Sequence, residues 1–355
     1  MRLIDRLDLS VPVIQAPMAG VSTPTLAAAV SNAGALGSIG VGATDAHHAR
    51  LMIDELRART DRAFNVNLFV HDRAKADPVR EAAWLDRLAP LFAEFEAEPP
   101  NTLQTIYKSF ADDADMLAML LDTAPPVVSF HFGLPPASTI RAFQERNILL
   151  MATATSVEEA RLIEEAGIDA IVAQGTEAGG HRGMFDPSAP DDALGMATLT
   201  RLLVKESRLP VIAAGGIMDG AGIAAALDLG AVAAQLGTAF IACSESAADE
   251  AYRAALMGPG AYHTTLTPII SGRPARVLAN RFSSLAGMLS DCKPPDYPIA
   301  YDAGKALHAA AKAKGESGFG AQWAGQGAPL ARAMSATELV ETLRRELQHC
   351  RRDSV

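Results

Sequence analysis

Two histidines stand where this chain could do chemistry. His181 follows two glycines in AQGTEAGGHRG (173–183), at the end of an apolar run and ahead of Arg182. A surface turn has use for the glycines but none for an imidazole at that point. Gly179 and Gly180 carry no side chain, so the loop can bring backbone close to a bound ring and deliver His181 beside its reactive face. His131 ends another apolar run in SFHFG, where it can act on a substrate or only orient its neighbours.

Other run ends carry binding chemistry. Asn67 and Gln174 are amides, which a buried strand tolerates only when they have partners. Gly215-Gly216 and Gln235-Leu236-Gly237-Thr238 close two further runs. Glycines there let backbone N–H groups approach a phosphate. Ala16-Pro17-Met18 offers small residues on a proline-fixed backbone, suited to the flat edge of a large planar ring. A phosphate grip, a flat wall and amides directed at ring heteroatoms together fit flavin mononucleotide, FMN.

The elements that must position these residues form a repeat. Short apolar runs recur at 11–18, 35–41, 64–70, 127–133, 148–154, 169–175, 210–216 and 231–237. They are apolar on both faces, as parallel strands buried on both sides should be. Helix punctuation lies between them. Thr23-Pro24 opens LAAAVSNAG, Ser156 to Glu159 spells a capping box, and Asp219-Gly220 opens GIAAALDLG. Eight strands alternating with helices predict a (β/α)8 TIM barrel, whose active site lies at the C-terminal ends of its strands. A doubly wound sheet is the competing architecture, and no G-x-G-x-x-G turn follows the first strand to support it. Residues 71–126 read as an inserted pair of helices. Residues 258–334, rich in Gly, Pro and Ser, read as a lid over the barrel mouth. The barrel is then 1–257 with 335–355.

Composition narrows the function classes. The chain has 355 residues, is 49% hydrophobic and carries a formal net charge of −10. No lysine/arginine run offers a face to track a phosphate backbone, which argues against nucleic acid. The N-terminal MRLIDRLDLS holds no apolar stretch suited to a signal peptide, and no apolar run approaches a membrane span. Cys243, Cys292 and Cys350 are far apart and suggest neither a disulfide framework nor a zinc site. A reducing cytoplasm and a monomer or homodimer are expected.

Five stretches together resemble one family: PVIQAPMAGVSTPTLAAAVSNAGALGSIG, NVNLF, QGTEAGGHRG, SGRPAR and YPIAYDAGKAL. They are similar to nitronate monooxygenase, formerly 2-nitropropane dioxygenase, in its bacterial class I branch. The resemblance implies FMN-dependent oxidation of nitronates by O2, with propionate 3-nitronate the natural substrate. The products would be an aldehyde or semialdehyde with nitrite or nitrate. It places the cofactor on Asn67, Gln174, Gly179, Gly216 and Gln235 to Thr238, and the substrate on Tyr107, His131, His181, Tyr297, Tyr301 and Lys305. His181 would hydrogen-bond the nitronate or act as base toward a neutral nitroalkane. Lys305 would be a point charge for the anion. Quinone and enoyl-thioester reductases that use a nicotinamide donor share the EAGGH loop and are the competing enzyme reading, against which YPIAYDAGK argues. A flavin binder without turnover and a flavin-free sugar-phosphate barrel are the alternatives from other classes.

Overall fold

Each apolar run forms a strand in the computed structural model, which describes residues 3–289 and 291–352. Residues 1, 2, 290 and 353–355, which fall within the expected barrel and lid boundaries, lie outside the described residues. The strands are β1 (Val13–Gln15), β2 (Gly37–Gly40), β3 (Phe64–Phe69), β4 (Val127–His131), β5 (Leu149–Ala154), β6 (Ala170–Gln174), the short β7 (Gly180–His181), β8 (Val211–Ala214) and β9 (Ala233–Leu236). All but β7 pair in parallel, in the order β1-β9-β8-β6-β5-β4-β3-β2. An Ile14–Leu36 bridge brings the two ends together, with Leu36 N donating to Val13 O at 3.0 Å. The fold is the expected (β/α)8 barrel.

Strand alternation explains why the site collects at one end. Leu150, Ala152, Ile171 and Ala173 pack outward against the helices, while Leu149, Met151, Ala170 and Val172 fill the barrel interior. Side chains two residues apart share a face. The interior rows therefore continue toward the C-terminal ends as Thr153 after Met151 and Gln174 after Val172. On β3 and β4, Asn67 stands opposite Ser129, and Phe69 opposite His131. The apolar layer closes the bottom, where Leu3 and Leu7 join it, and the polar layer faces the mouth.

Local signals set the helices. Thr23 accepts from Leu26 N at 2.9 Å, Ser156 from Glu159 N at 3.2 Å and Asp219 from Gly222 N at 2.8 Å. Glu159 reaches back to Thr155 N and also takes Phe185 N at 2.8 Å, tying the helix start to the loop after β7. Of the two helices expected over 71–126, Ala114–Thr123 occupies the ordinary position between β3 and β4, its Met116, Met119 and Leu120 lying in the barrel core. Only Pro78–Glu94 is additional. Its Trp84, Leu88 and Phe92 pack with Ile299, Ala303 and Leu307 of the helix Ile299–Ala313, so the two excursions share one core.

A second sheet was not foreseen. The strands β10 (Thr264–Thr267) and β11 (Ala275–Leu278) are antiparallel, and β11 also pairs with β7 through Ala275–His181 and Arg276–Gly180. The loop after β6 is thus stitched to the segment 258–334.

Candidate active site

A cavity of about 420 Å³ opens at the C-terminal ends of the strands. Of the residues expected at the site, Ala16, Pro17, Met18, Asn67, Tyr107, His131, Gln174, Gly179, Gly180, His181, Gly215, Gly216, Gln235, Gly237, Thr238, Tyr297, Tyr301 and Lys305 all line it. Leu236 does not. It is 1% exposed and packs outward with Val13 and Phe240, because the pleat turns it away between Gln235 and Gly237.

The floor is built from β1. Gln15 is buried, donates to Ser22 Oγ at 2.9 Å and accepts from Ser38 N at 2.8 Å. Met18 N donates to the same Ser22 Oγ at 2.9 Å. These bonds fold Ala16–Ser22 into a fixed turn beneath the cavity. Beside it stand the glycines after β8 and β9, since β9 pairs with β1 and β8 with β9. At Gly237 an added Cβ would meet only Ala16 Cβ at 3.4 Å and Met18 Sδ at 3.9 Å, so its backbone is uncovered.

Both amides have partners within the protein, Gln174 through both of its polar atoms and Asn67 through Nδ2. Asn67 Nδ2 donates to Ser129 Oγ at 2.9 Å. Gln174 Nε2 donates to His181 O at 2.9 Å, and its Oε1 accepts from Gly183 N at 2.8 Å. Gln174 therefore holds the histidine loop rather than directing its amide at a ring.

That loop is pinned from several sides. Arg182 is 1% exposed, forms a two-point ion pair with Asp191 (2.8 and 2.9 Å) and donates to Gln174 O at 2.8 Å. Glu177 accepts Met196 N on both oxygens, at 2.9 and 2.8 Å. At Gly179 a Cβ would lie 2.5 Å from Gly325 N and 2.6 Å from Ala324 C. The glycine is required by this backbone-on-backbone contact, which the sequence reading had assigned to the approach of a ring.

The two histidines differ. His131 Nε2 lies 3.2 Å from His181 O, an acceptor only, so Nε2 carries the proton and Nδ1 accepts from Thr153 Oγ1 at 3.1 Å. Both nitrogens are used. His181 Nε2 lies 2.8 Å from Ser271 Oγ, and that hydroxyl donates to Arg273 O at 3.3 Å. His181 Nε2 is then the donor, which leaves Nδ1 unprotonated and without a hydrogen-bond partner among the described residues. Burial pushes His181 down to about 3, with His131 and Arg273 adding to it. Burial likewise pushes His131 down to about 4, against its hydrogen bond to His181 O. Both are neutral at pH 7.

Aromatic residues wall the mouth. The His181 ring lies 5.0 Å from Trp323 and 5.3 Å from Tyr297. Tyr297 is 5% exposed and its hydroxyl has no hydrogen-bond partner among the described residues. Burial holds the Tyr297 phenol well above its usual range and pushes Tyr107 up to about 12. Lys305 Nζ stands 5.0 Å over the Tyr107 ring and 5.3 Å over Tyr301, with no ion-pair partner among the described residues. It also lines an outer cavity of about 660 Å³ that shares Tyr252, Tyr301 and Trp323 with the site.

Sequence reasoning missed Ser129, Thr153, Tyr252 and Trp323 in the lining, and Ser271 and Arg273 behind it. Ser129 and Thr153 were legible as interior positions near strand ends. Ser271 and Arg273 lie in SGRPAR, which signalled the family but no role.

A family model described as nitronate monooxygenase matches residues 1–346. The chain is 61% identical over 346 residues to a nitronate monooxygenase of Paraburkholderia phytofirmans, covering 98% of this chain and 94% of that protein. It is 57% identical over 342 residues to one of Pseudomonas aeruginosa, covering 96% and 97%. A crystal structure of nitroalkane oxidase from Streptomyces ansochromogenes superposes with a TM-score of 0.89 at 40% identity, covering 99% of this chain and 100% of that one. No helix among the described residues is long and apolar enough to cross a membrane. A barrel whose mouth carries neutral histidines, buried phenols and one unpaired ammonium accords with these likenesses, and the chain belongs to the nitronate monooxygenase family of flavin-dependent oxidoreductases.

Proposed function

We propose that the chain holds FMN in the mouth cavity and oxidises small anionic nitronates with O2, propionate 3-nitronate foremost, to an aldehyde or semialdehyde with nitrite or nitrate. One observation carries the reading: a glycine-walled end and an end bearing His181, the unpartnered Tyr297 hydroxyl and Lys305 belong to the same cavity. The uncovered backbone at Gly237, with Gly216 and Thr238 beside it, suits a phosphate. No lysine or arginine among the described residues lines that end, so backbone N–H groups would hold the phosphate. Ala16–Met18 would support the ring. Held by these residues, FMN would supply the electron-accepting chemistry and the electron transfer to O2.

The protein's part is binding and orientation. His181 Nδ1 is an acceptor, suited to taking a proton from a neutral nitroalkane. Tyr297 can donate its hydroxyl proton to a nitronate oxygen, since a buried phenol far above its usual pKa stays protonated. Lys305 attracts the carboxylate. His131, with both nitrogens occupied, positions the loop through His181 O. Residues 258–334 act as the lid, bringing Tyr297, Tyr301, Lys305 and Trp323 to the mouth.

Purified protein should release a flavin that runs with FMN on chromatography and should consume O2 with propionate 3-nitronate. Release of the dinucleotide would refute the cofactor. Rapid anaerobic flavin bleaching by NADH, with no nitronate turnover, would favour the reductase reading.

A further inference from the structure

Arg273 is a buried cation without a counter-ion. It is 3% exposed and forms no ion pair among the described residues. The comparison with Arg182 is direct, since that buried guanidinium is matched by Asp191. Among the described residues the Arg273 guanidinium has only the Met184 carbonyl as acceptor and its Nε is unpartnered, and it stacks 4.3 Å from the Phe132 ring centroid. The carboxylates that bear on it are Asp72 and Asp186, both exposed, and Glu159, which is held by Thr155 and Phe185 N. Unmatched buried charge is costly, and such a residue calls for a reason.

Its surroundings supply one. Phe132 lies between Arg273 and the reacting end of the site, its ring 4.5 Å from His131, 5.6 Å from His181 and 5.4 Å from Tyr297. Phe132 itself holds a left-handed backbone, φ 77°, that a phenylalanine adopts only under constraint. Gly272 lets the turn before Arg273 pack on the backbone that carries Tyr297: a Cβ there would lie 2.5 Å from Pro295 O and 2.8 Å from Tyr297 N. The other titratable neighbours are Tyr297, whose phenol burial holds protonated, and His71, His131 and His181, whose pKa values burial lowers.

We propose that Arg273 determines specificity for the anion: without touching substrate, it supplies a fixed positive charge from behind the lining at the His181 end of the pocket, and the anion it answers to is the bound nitronate head. This rests on the anionic substrate of the proposed function. The two histidines are neutral there, so they cannot provide that charge. Arg273, pulled by burial down to about 10, remains cationic through neutral pH. Lys305 serves the other end, the carboxylate tail. At a separation on the order of 10 Å in a partly desolvated setting, such a charge changes anion affinity roughly five- to twentyfold.

The test uses propionate as an inert stand-in for the planar nitronate head, with propionamide as its neutral counterpart, titrated by NMR against the holoenzyme. Lys305→Met should keep a preference for propionate, and Lys305→Met/Arg273→Gln should lose it roughly five- to twentyfold. Lys305→Met/Arg273→Lys should keep the preference at pH 6 and lose it as pH rises toward 9, because a buried lysine discharges and an arginine does not. This last variant decides the matter if the glutamine variant does not fold. Abolition of the preference by Lys305→Met alone, its survival in the glutamine variant, or a lysine variant that follows Lys305→Met at every pH would overturn the inference. Absence of any preference in the wild type would instead overturn the anionic-substrate reading.

Discussion

Replacing Lys305 with methionine removes one charge and keeps the side chain's length. The ammonium lies over two phenol rings and has no carboxylate partner among the described residues, so the variant leaves no orphaned acid. Two facts bound the effect. Desolvation pulls the Lys305 pKa down, which shows protein crowding the ammonium, yet the residue is exposed toward the cavities it lines. A fully desolvated hydrogen bond to a charge contributes about 1.5–3 kcal/mol, and an exposed pair about 0.2–1 kcal/mol. The interaction belongs between them, at about 1–1.5 kcal/mol, or roughly five- to tenfold in kcat/KM. The assay compares propionate 3-nitronate with ethyl nitronate, which lacks the carboxylate. The first should lose that factor and the second little. Equal losses would assign Lys305 to the nitronate head, and no loss on either would make it a solvated helix lysine.

His181→Ala should lower turnover about a hundredfold while flavin is retained, and His131→Ala should act by loosening the loop, with lower thermal stability and a smaller loss of turnover; retention of full turnover by His181→Ala would remove it from the chemistry. Both histidines have folded pKa values below the usual 6.5, so the unfolded chain binds more protons in acid. Stability should be complete above about pH 6.5 and fall as pH drops toward 4, by about 1 kcal/mol per pH unit for each histidine, and a melting temperature flat over that window would contradict it. Gly179→Ala should cost about 1–3 kcal/mol, because its Cβ meets the backbone of Ala324 and Gly325 rather than a side chain that can move; an unchanged melting temperature would show that the contact relaxes freely.

The barrel was legible because its signals are local. Runs apolar on both faces mark parallel strands, and Thr23, Ser156 and Asp219 cap the helices they were expected to cap. The small sheet was not legible, since β7 is two residues long and finds its partner in Ala275 and Arg276, far along the chain. The outward turn of the Leu236 side chain was not legible in a contiguous quartet, because a pleated strand presents only alternate side chains to the mouth. Gln174 and Asn67 were recognised by residue type, but what an amide bonds depends on the tertiary structure. Arg273 shows the same limit: its charge is plain in the sequence, and its lack of a partner exists only in the folded protein.

The pair His181-Arg182 follows from that pleat. The extended backbone of β7 runs on into Arg182, whose N–H donates to Pro274 O at 2.9 Å, so consecutive side chains point to opposite faces and one turns to the cavity while the next turns into the protein. The imidazole lines the mouth, and the guanidinium, 1% exposed, is clamped by Asp191 and Gln174 O behind it. A neutral, aromatic-walled histidine is held in place by a charge the substrate never meets. The division lets a cation sit beside the histidine with most of its charge answered: Arg182 has its ion pair with Asp191, while Arg273, linked to His181 through Ser271, has none among the described residues. Of the buried guanidiniums bonded into this loop, Arg182 is matched by Asp191, while Arg273 and Arg276 form no ion pair among the described residues; of those two, Arg273 is the one stacked on Phe132 beside the histidines, where its field can act on an anion.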